Sequence, residues 1–199
     1  MKYLVAGGTG LIGSELVNIL SANSENQIFQ IKRSDYQNLD PKALQLPQDI
    51  EAAFCCLGTT IKVAKSKEDF FKVDHDYVVE FFKLAQSLGI KKWLVVSALG
   101  ADPRSNVFYN STKGKMEESL RSLKPSSLVI LRPSLLLGSR KEFRLGELIA
   151  QKISPLITPL LVGTLKKYAP VQAIAVAQKL FQLSKAQSSG VFVFESDQI

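Results

Sequence analysis

Cysteine and histidine are almost missing from this chain. Its 199 residues hold two cysteines, one histidine and one tryptophan. The cysteines, Cys55 and Cys56, are adjacent in an apolar stretch. Successive strand side chains point to opposite faces, so the pair is badly placed for a disulfide, and both read as buried strand residues. With His75 as the only imidazole, a metal site lacks ligands, and no metal is expected. His75, between Asp74 and Asp76, reads as a helix-surface residue. No apolar run approaches the roughly 18 residues that a membrane-spanning helix needs. The N-terminus enters a strand directly, without the regions of a secretory leader, which makes a cytoplasmic location the expectation. Internal repeats and low-complexity tracts are absent as well.

Acidic residues are scarce in one half only. Residues 1–99 carry 11 basic and 11 acidic side chains, and residues 100–199 carry 14 and 7, so the whole net charge of +7 lies in the second half. A basic surface attracts anions: coenzyme phosphates, acidic substrates, anionic lipid or nucleic acid. No aromatic stacking platform is interleaved with these charges, so nucleic acid is not expected as a partner. Solvated surface charge is the plainer account. The 46% hydrophobic composition is enough for a full core. A single domain over residues 1–199 is expected, since the chain is too short for a nucleotide-binding unit plus a large second domain.

What is present begins with a glycine turn. Lys2 to Ala6 is a short apolar strand, followed by Gly7-Gly-Thr-Gly-Leu-Ile-Gly13 and then by apolar residues at near-helical spacing. Strand, glycine turn and helix arrive in the order that a dinucleotide-binding unit requires. The spacing is G-x-x-G-x-x-G, not the usual G-x-G-x-x-G. The glycines keep the same tasks: a tight turn, backbone approach to a pyrophosphate, and close helix–strand packing. Gly7, Thr9, Gly10, Leu11, Ile12 and Gly13 are therefore candidate coenzyme contacts, with the pyrophosphate on the N–H groups from Gly10 to Gly13. The second strand, Gln27 to Ile31, is followed by Lys32 and Arg33. In an NAD-binding unit an acidic residue holds the ribose about twenty positions past the glycines. Here that position is Arg33, whose guanidinium suits a 2′-phosphate. NADP(H) is thus expected over NAD(H), and Asp35 is the competing residue.

Tyr109 and Lys113 supply the chemistry. They stand four apart in Tyr109-Asn-Ser-Thr-Lys113, and of the five tyrosines only Tyr109 has a lysine at that spacing. On a helix the two share a face, and a neighbouring cation favours phenolate, which lowers the tyrosine pKa towards the range of a general acid/base. Ser97 ends the apolar run that starts at Trp93. A hydroxyl at a strand end can hold a substrate oxygen against that phenol. The trio points to proton transfer at a carbonyl or alcohol oxygen while a hydride moves.

These pieces resemble the short-chain dehydrogenase/reductase superfamily, and within it the atypical branch related to the Tat-interacting protein. The strings that carry the likeness are the glycine turn, Phe54-Cys-Cys-Leu-Gly-Thr-Thr60, Val73-Asp-His-Asp-Tyr-Val78, Ser97-Ala-Leu-Gly-Ala-Asp102, Tyr109 to Lys113, and Arg132-Pro-Ser-Leu-Leu-Leu-Gly138. The resemblance implies that Ser97, Tyr109 and Lys113 are catalytic and that Lys113 also holds the nicotinamide ribose. It further implies that Leu57, Gly58 and Thr59 line the coenzyme and that Pro133 borders the nicotinamide. Extended members of the superfamily usually carry an asparagine that completes a proton relay; Asp74 stands there in this chain. Members of this branch are also described as regulators.

Strands are predicted at 2–6, 27–32, 52–57, 92–97, 127–132 and 190–195, and helices near 11–21, 67–88, 107–124, 142–153 and 171–185. The alternation predicts an α/β fold with a doubly wound parallel sheet of Rossmann type. About twenty residues separate Lys32 from Ala53, too few for a complete helix and strand, so the third βα unit must be shortened. Residues 139–170 are expected to form a small helical cover over the active site. Two readings stand: an NADP(H)-dependent oxidoreductase acting on a small carbonyl or alcohol, and a coenzyme-binding regulator with little chemistry. Monomer and homodimer are both compatible with the sequence, and contact with a membrane surface has no support beyond the basic charge.

Overall fold

The computed structural model describes residues 1–138, 163–187 and 189–199. Six apolar segments form one parallel sheet: β1 (Lys2–Ala6), β2 (Gln27–Ile31), β3 (Ala52–Cys55), β4 (Lys92–Val96), β5 (Ser127–Arg132) and β8 (Gly190–Glu195), in the order β2-β1-β3-β4-β5-β8. Strands β1, β3, β4 and β5 are near-continuous apolar runs because both faces of the sheet are covered. A two-stranded parallel sheet, β6 (Leu136–Leu137) with β7 (Val171–Gln172), lies outside it.

The helices divide between the two faces. α1 (Leu11–Ser21) and α6 (Ala173–Lys185) cover one, where Leu16, Leu20, Val176 and Leu180 pack on Val5, Phe54, Leu94 and Val129. α4 (Tyr77–Ser87) and α5 (Phe108–Ser122) cover the other. Val78, Phe81, Phe82 and Ala85 recur at helical spacing and turn one stripe of α4 inward. Phe82 stacks on Trp93 with ring centroids 5.0 Å apart. Each such buried side chain contributes about 1.5–3 kcal/mol. The cysteines part as strand geometry requires: Cys55 lies in one core and Cys56 packs against the other, and both are free. Burial pushes the Cys55 thiol up to about 12.

Two elements differ from a regular repeat. Between β2 and β3 there is no further strand. A 3-10 turn over Arg33–Gln37 leads into a looped segment; Tyr36 of the turn and Leu39, Leu44 and Leu46 of the segment pack against the core. This apolar loop takes the place of the missing unit. The helix predicted at 67–88 is interrupted: α3 (Lys67–Phe71) passes through a π turn, Lys72–Asp76, before α4 begins. His75 lies in that turn, 3.1 Å from Ser119 Oγ on α5 and 2.8 Å from Asp76 Oδ1, so its ring is more enclosed than a surface position implies. One short helix, α2 (Ile61–Ala64), was not foreseen. The predicted helix at 142–153, and most of the predicted cover at 139–170, lie outside the described residues.

Candidate active site

The glycine turn, the loop after β3, Ser97 and Pro133 all follow the carboxyl ends of parallel strands, where ligands bind in open α/β sheets. Gly7 has φ +78°, and a Cβ there would lie 2.6 Å from the carbonyl carbon of Cys56. A Cβ on Gly13 would lie 2.0 Å from Gly7 O, so helix and turn touch through that glycine. Gly10 caps α1 without a side-chain hydrogen bond, and the first turn holds no acidic residue. The helix N-terminus therefore keeps free N–H donors and a positive end of the dipole, which suit a phosphate group. This cradle fits the pyrophosphate of a dinucleotide.

Two cavities flank this region. The smaller, about 170 Å³, is lined by Arg33, Leu57, Gly58 and Thr59, with Tyr36 and Tyr77 stacked 4.2 Å apart beside them. The larger, about 590 Å³, is lined by Ser97, Tyr109, Arg132 and Pro133 among others. Tyr109 sits in the first turn of α5, 38% exposed, with its ring 5.7 Å from that of Phe70. Lys113 does not line either cavity. It is buried, with Nζ 2.8 Å from Asp74 Oδ1. Burial pushes the Lys113 pKa down, but Asp74 and then Tyr109 push it up and prevail, so the side chain is a cation at neutral pH. Thr59 N–H donates to Asp74 Oδ2 at 2.8 Å. Asp74, placed by the π turn, thus ties the α5 lysine to the loop that lines the smaller cavity. Its two carboxylate oxygens are each taken by one of these partners.

Ser97 reaches a second buried carboxylate, which the sequence did not reveal. Its hydroxyl donates to Glu117 Oε1 at 2.6 Å, and Arg132 grips Glu117 with Nε at 2.9 Å and a terminal nitrogen at 2.7 Å. Glu117 follows Lys113 by one helical turn, so its face was legible; its partners, on β5 and after β4, were not. Gly114 was missed as well. A Cβ there would stand 2.1 Å from Pro103 N and 2.2 Å from Asp102 C, so α5 meets the loop after β4 backbone to backbone. Among the described residues no three metal-ligating side chains come together, and no helix is long and apolar enough to cross a membrane.

A doubly wound parallel sheet with a glycine turn after β1, and with Ser97 and Tyr109 on the wall of one cavity, is a Rossmann fold of the atypical short-chain dehydrogenase/reductase class. Within that class the chain belongs to the HIM1 family, whose model matches residues 14–164. It is 33% identical over 159 residues to mitochondrial protein FMP52 of Eremothecium gossypii, a match covering 73% of this chain and 71% of that one. To HTATIP2 of Rattus norvegicus it is 39% identical over 118 residues, covering 59% and 48%. That relative bears out the branch named from the sequence. Among solved structures, MoeE5 in complex with UDP-glucose and NAD superposes with a TM-score of 0.73 at 16% identity, covering 98% of this chain and 75% of its own. The dTDP-4-dehydrorhamnose reductase of Bacillus anthracis in complex with NADP gives 0.70 at 14% identity, covering 98% and 74%. At such identities the likeness shows the fold alone. The expected cytoplasmic location is overturned: several fungal relatives are named as mitochondrial proteins.

Proposed function

We propose that this chain is an NADP(H)-dependent oxidoreductase acting on a small carbonyl or alcohol, with Tyr109 as the group that gives or takes the proton. One observation carries the reading. Ser97 and Tyr109, from different elements, face the same cavity at the carboxyl end of the sheet, with the charged Lys113 buried one helical turn beyond Tyr109. The bound coenzyme supplies or accepts the hydride. Tyr109 gives its hydroxyl proton to the oxygen of a carbonyl being reduced, or takes the proton of an alcohol being oxidised. In this reading Lys113 holds the nicotinamide ribose once its ammonium turns from Asp74 towards the cavity. Ser97 has one hydroxyl proton, and Glu117 accepts it. Towards the cavity it presents lone pairs, ready for the hydroxyl of an alcohol; to donate to a carbonyl it must first release Glu117.

The coenzyme fits the remaining residues. Leu57, Gly58 and Thr59, which the family resemblance gives to the coenzyme, line the smaller cavity, and Pro133, which it gives to the nicotinamide, lines the larger. Arg33 is on the wall of the smaller cavity, where it suits a 2′-phosphate. Asp35, its competitor, is engaged locally: it accepts from Lys32 N–H at 2.7 Å and from Ser34 Oγ at 3.1 Å. The names of the FMP52 relatives favour a mitochondrial setting.

Tyr109→Phe tests the chemistry. Turnover in a carbonyl panel followed by NADPH oxidation should fall by about a hundredfold, the scale of general acid catalysis, while coenzyme affinity by calorimetry persists. Unchanged turnover would remove Tyr109 from the mechanism. Arg33→Ala tests the coenzyme choice. It should cost roughly 1–3 kcal/mol of NADPH affinity and leave NADH nearly unchanged. Equal losses for both would sink the assignment of Arg33.

A further inference from the structure

The charges around the larger cavity are matched within the protein. Among the described residues its wall carries three charged side chains, Arg132, Lys167 and Glu195. Arg132 is held bidentately by Glu117, which is 2% exposed behind the wall. Lys167 Nζ lies 3.2 Å from Glu195 Oε2. An anionic ligand reaching for either cation competes with a carboxylate already in place. Displacing Glu117 would strip this buried carboxylate of its bidentate partner and leave it only Ser97 and the more distant Arg121, 3.9 Å away, which is costly. The wall hydroxyl of Ser134 is turned away too, donating to Ala169 O at 2.5 Å and lying 2.9 Å from Ser196 Oγ.

What remains is one polar end and an apolar flank. Ser97, Tyr109 and the adjacent Asn110 form the polar end, and none of them is charged. Leu99, Pro133, Leu135, Leu136 and Tyr168 line the rest, and Leu135 and Tyr168 keep large apolar surface exposed, at 38% and 54%. Exposed apolar side chains grouped at a cavity mark a ligand groove. Resting on the oxidoreductase reading, we propose that the substrate is an uncharged, largely apolar carbonyl or alcohol, with its oxygen at Ser97 and Tyr109 and its hydrocarbon part on this flank. Carboxylates and nucleotide sugars are disfavoured. This sets the chain apart from MoeE5, solved with UDP-glucose on the same fold.

A matched pair tests it. 2-Octanone and 7-oxooctanoate share a methyl ketone and chain length and differ by a terminal carboxylate. Calorimetry would follow both, and UDP-glucose, with the protein alone and with saturating NADP⁺, after the coenzyme has been titrated separately. The ketone should bind the coenzyme complex at least about tenfold more tightly than the oxo acid, and UDP-glucose should not bind. Glu195→Gln, which releases Lys167, should narrow the gap by up to about fivefold. Equal or tighter binding of the oxo acid, binding of UDP-glucose, no binding of the ketone, or a gap unmoved by Glu195→Gln would each overturn the proposal. If the coenzyme itself fails to bind, the oxidoreductase reading falls. The ketone and oxo acid on the coenzyme-free protein then still decide the preference of the cavity.

Discussion

Gly114→Ala should destabilise the protein by about 3 kcal/mol, against the direction that helix propensity predicts. Within a helix an alanine is worth about 1 kcal/mol more than a glycine. Gly114 is the seventh of the 15 residues of α5. The packing argument runs the other way and is larger. The added Cβ would stand 2.1 Å from Pro103 N and 2.2 Å from Asp102 C, and both obstacles are backbone. No side chain can rotate away, so α5 or the loop after β4 must move, and overpacking of this kind costs about 1–3 kcal/mol or more. The displaced loop also carries Ala98, Leu99 and Gly100 of the larger cavity, so ligand binding there should weaken as well. Urea denaturation should show a lower midpoint with an unchanged slope. Lys115→Ala, on the exposed side of the same helix, serves as the control and should move stability by no more than about 0.5 kcal/mol. Stabilisation by Gly114→Ala would mean that the close approach of α5 and the loop is not what fixes the glycine.

The same contrast between local pattern and distant partner divides what the sequence told from what it hid. The strands of the main sheet were legible because parallel strands covered on both faces are written as apolar runs, as in Trp93 to Val96. Tyr109 and Lys113 were legible because helical spacing is local. The shortened third unit followed from chain length alone. The pairing of Glu117 with Arg132 was not legible, since they stand fifteen positions apart on successive elements, α5 and β5, and charged residues are ordinarily on the surface. Their bidentate contact exists only once β5 lies under α5. The π turn was missed for a different reason. The wider turn spans only Lys72–Asp76, where Val73 is the sole apolar residue, so the pattern there is too sparse to show it, yet the turn holds the buried Asp74. Gly114 reads in sequence as a mild helix weakness, and only the approach of the loop gives it a purpose.

Lys113→Met and Asp74→Asn should each cost about 3–5 kcal/mol, whereas the two together should cost less than either alone. The pair is buried, at 3% and 1% exposure, with Nζ and Oδ1 2.8 Å apart. Removing the ammonium strands a carboxylate whose other contact is the Thr59 N–H; removing the carboxylate strands an ammonium. In the double variant the amide can still accept from Thr59, and methionine fills much of the lysine's space, so no buried charge is left over. A double-mutant cycle by denaturant unfolding should therefore give a coupling above about 2 kcal/mol. Additive costs would show that the ion pair is not the interaction being broken. The pH dependence gives an independent reading. The folded Lys113 pKa is raised, because Asp74 and Tyr109 outweigh burial. Its contribution is thus fully present below the unfolded lysine value of about 10.4 and is lost as pH rises through the higher folded value. The wild type should lose stability in that alkaline window by an amount that Lys113→Met does not. The double variant also separates fold from function: it should be folded and still fail to turn over, because the cation beside Tyr109 is gone. Full activity in that variant would leave Lys113 with a structural role alone.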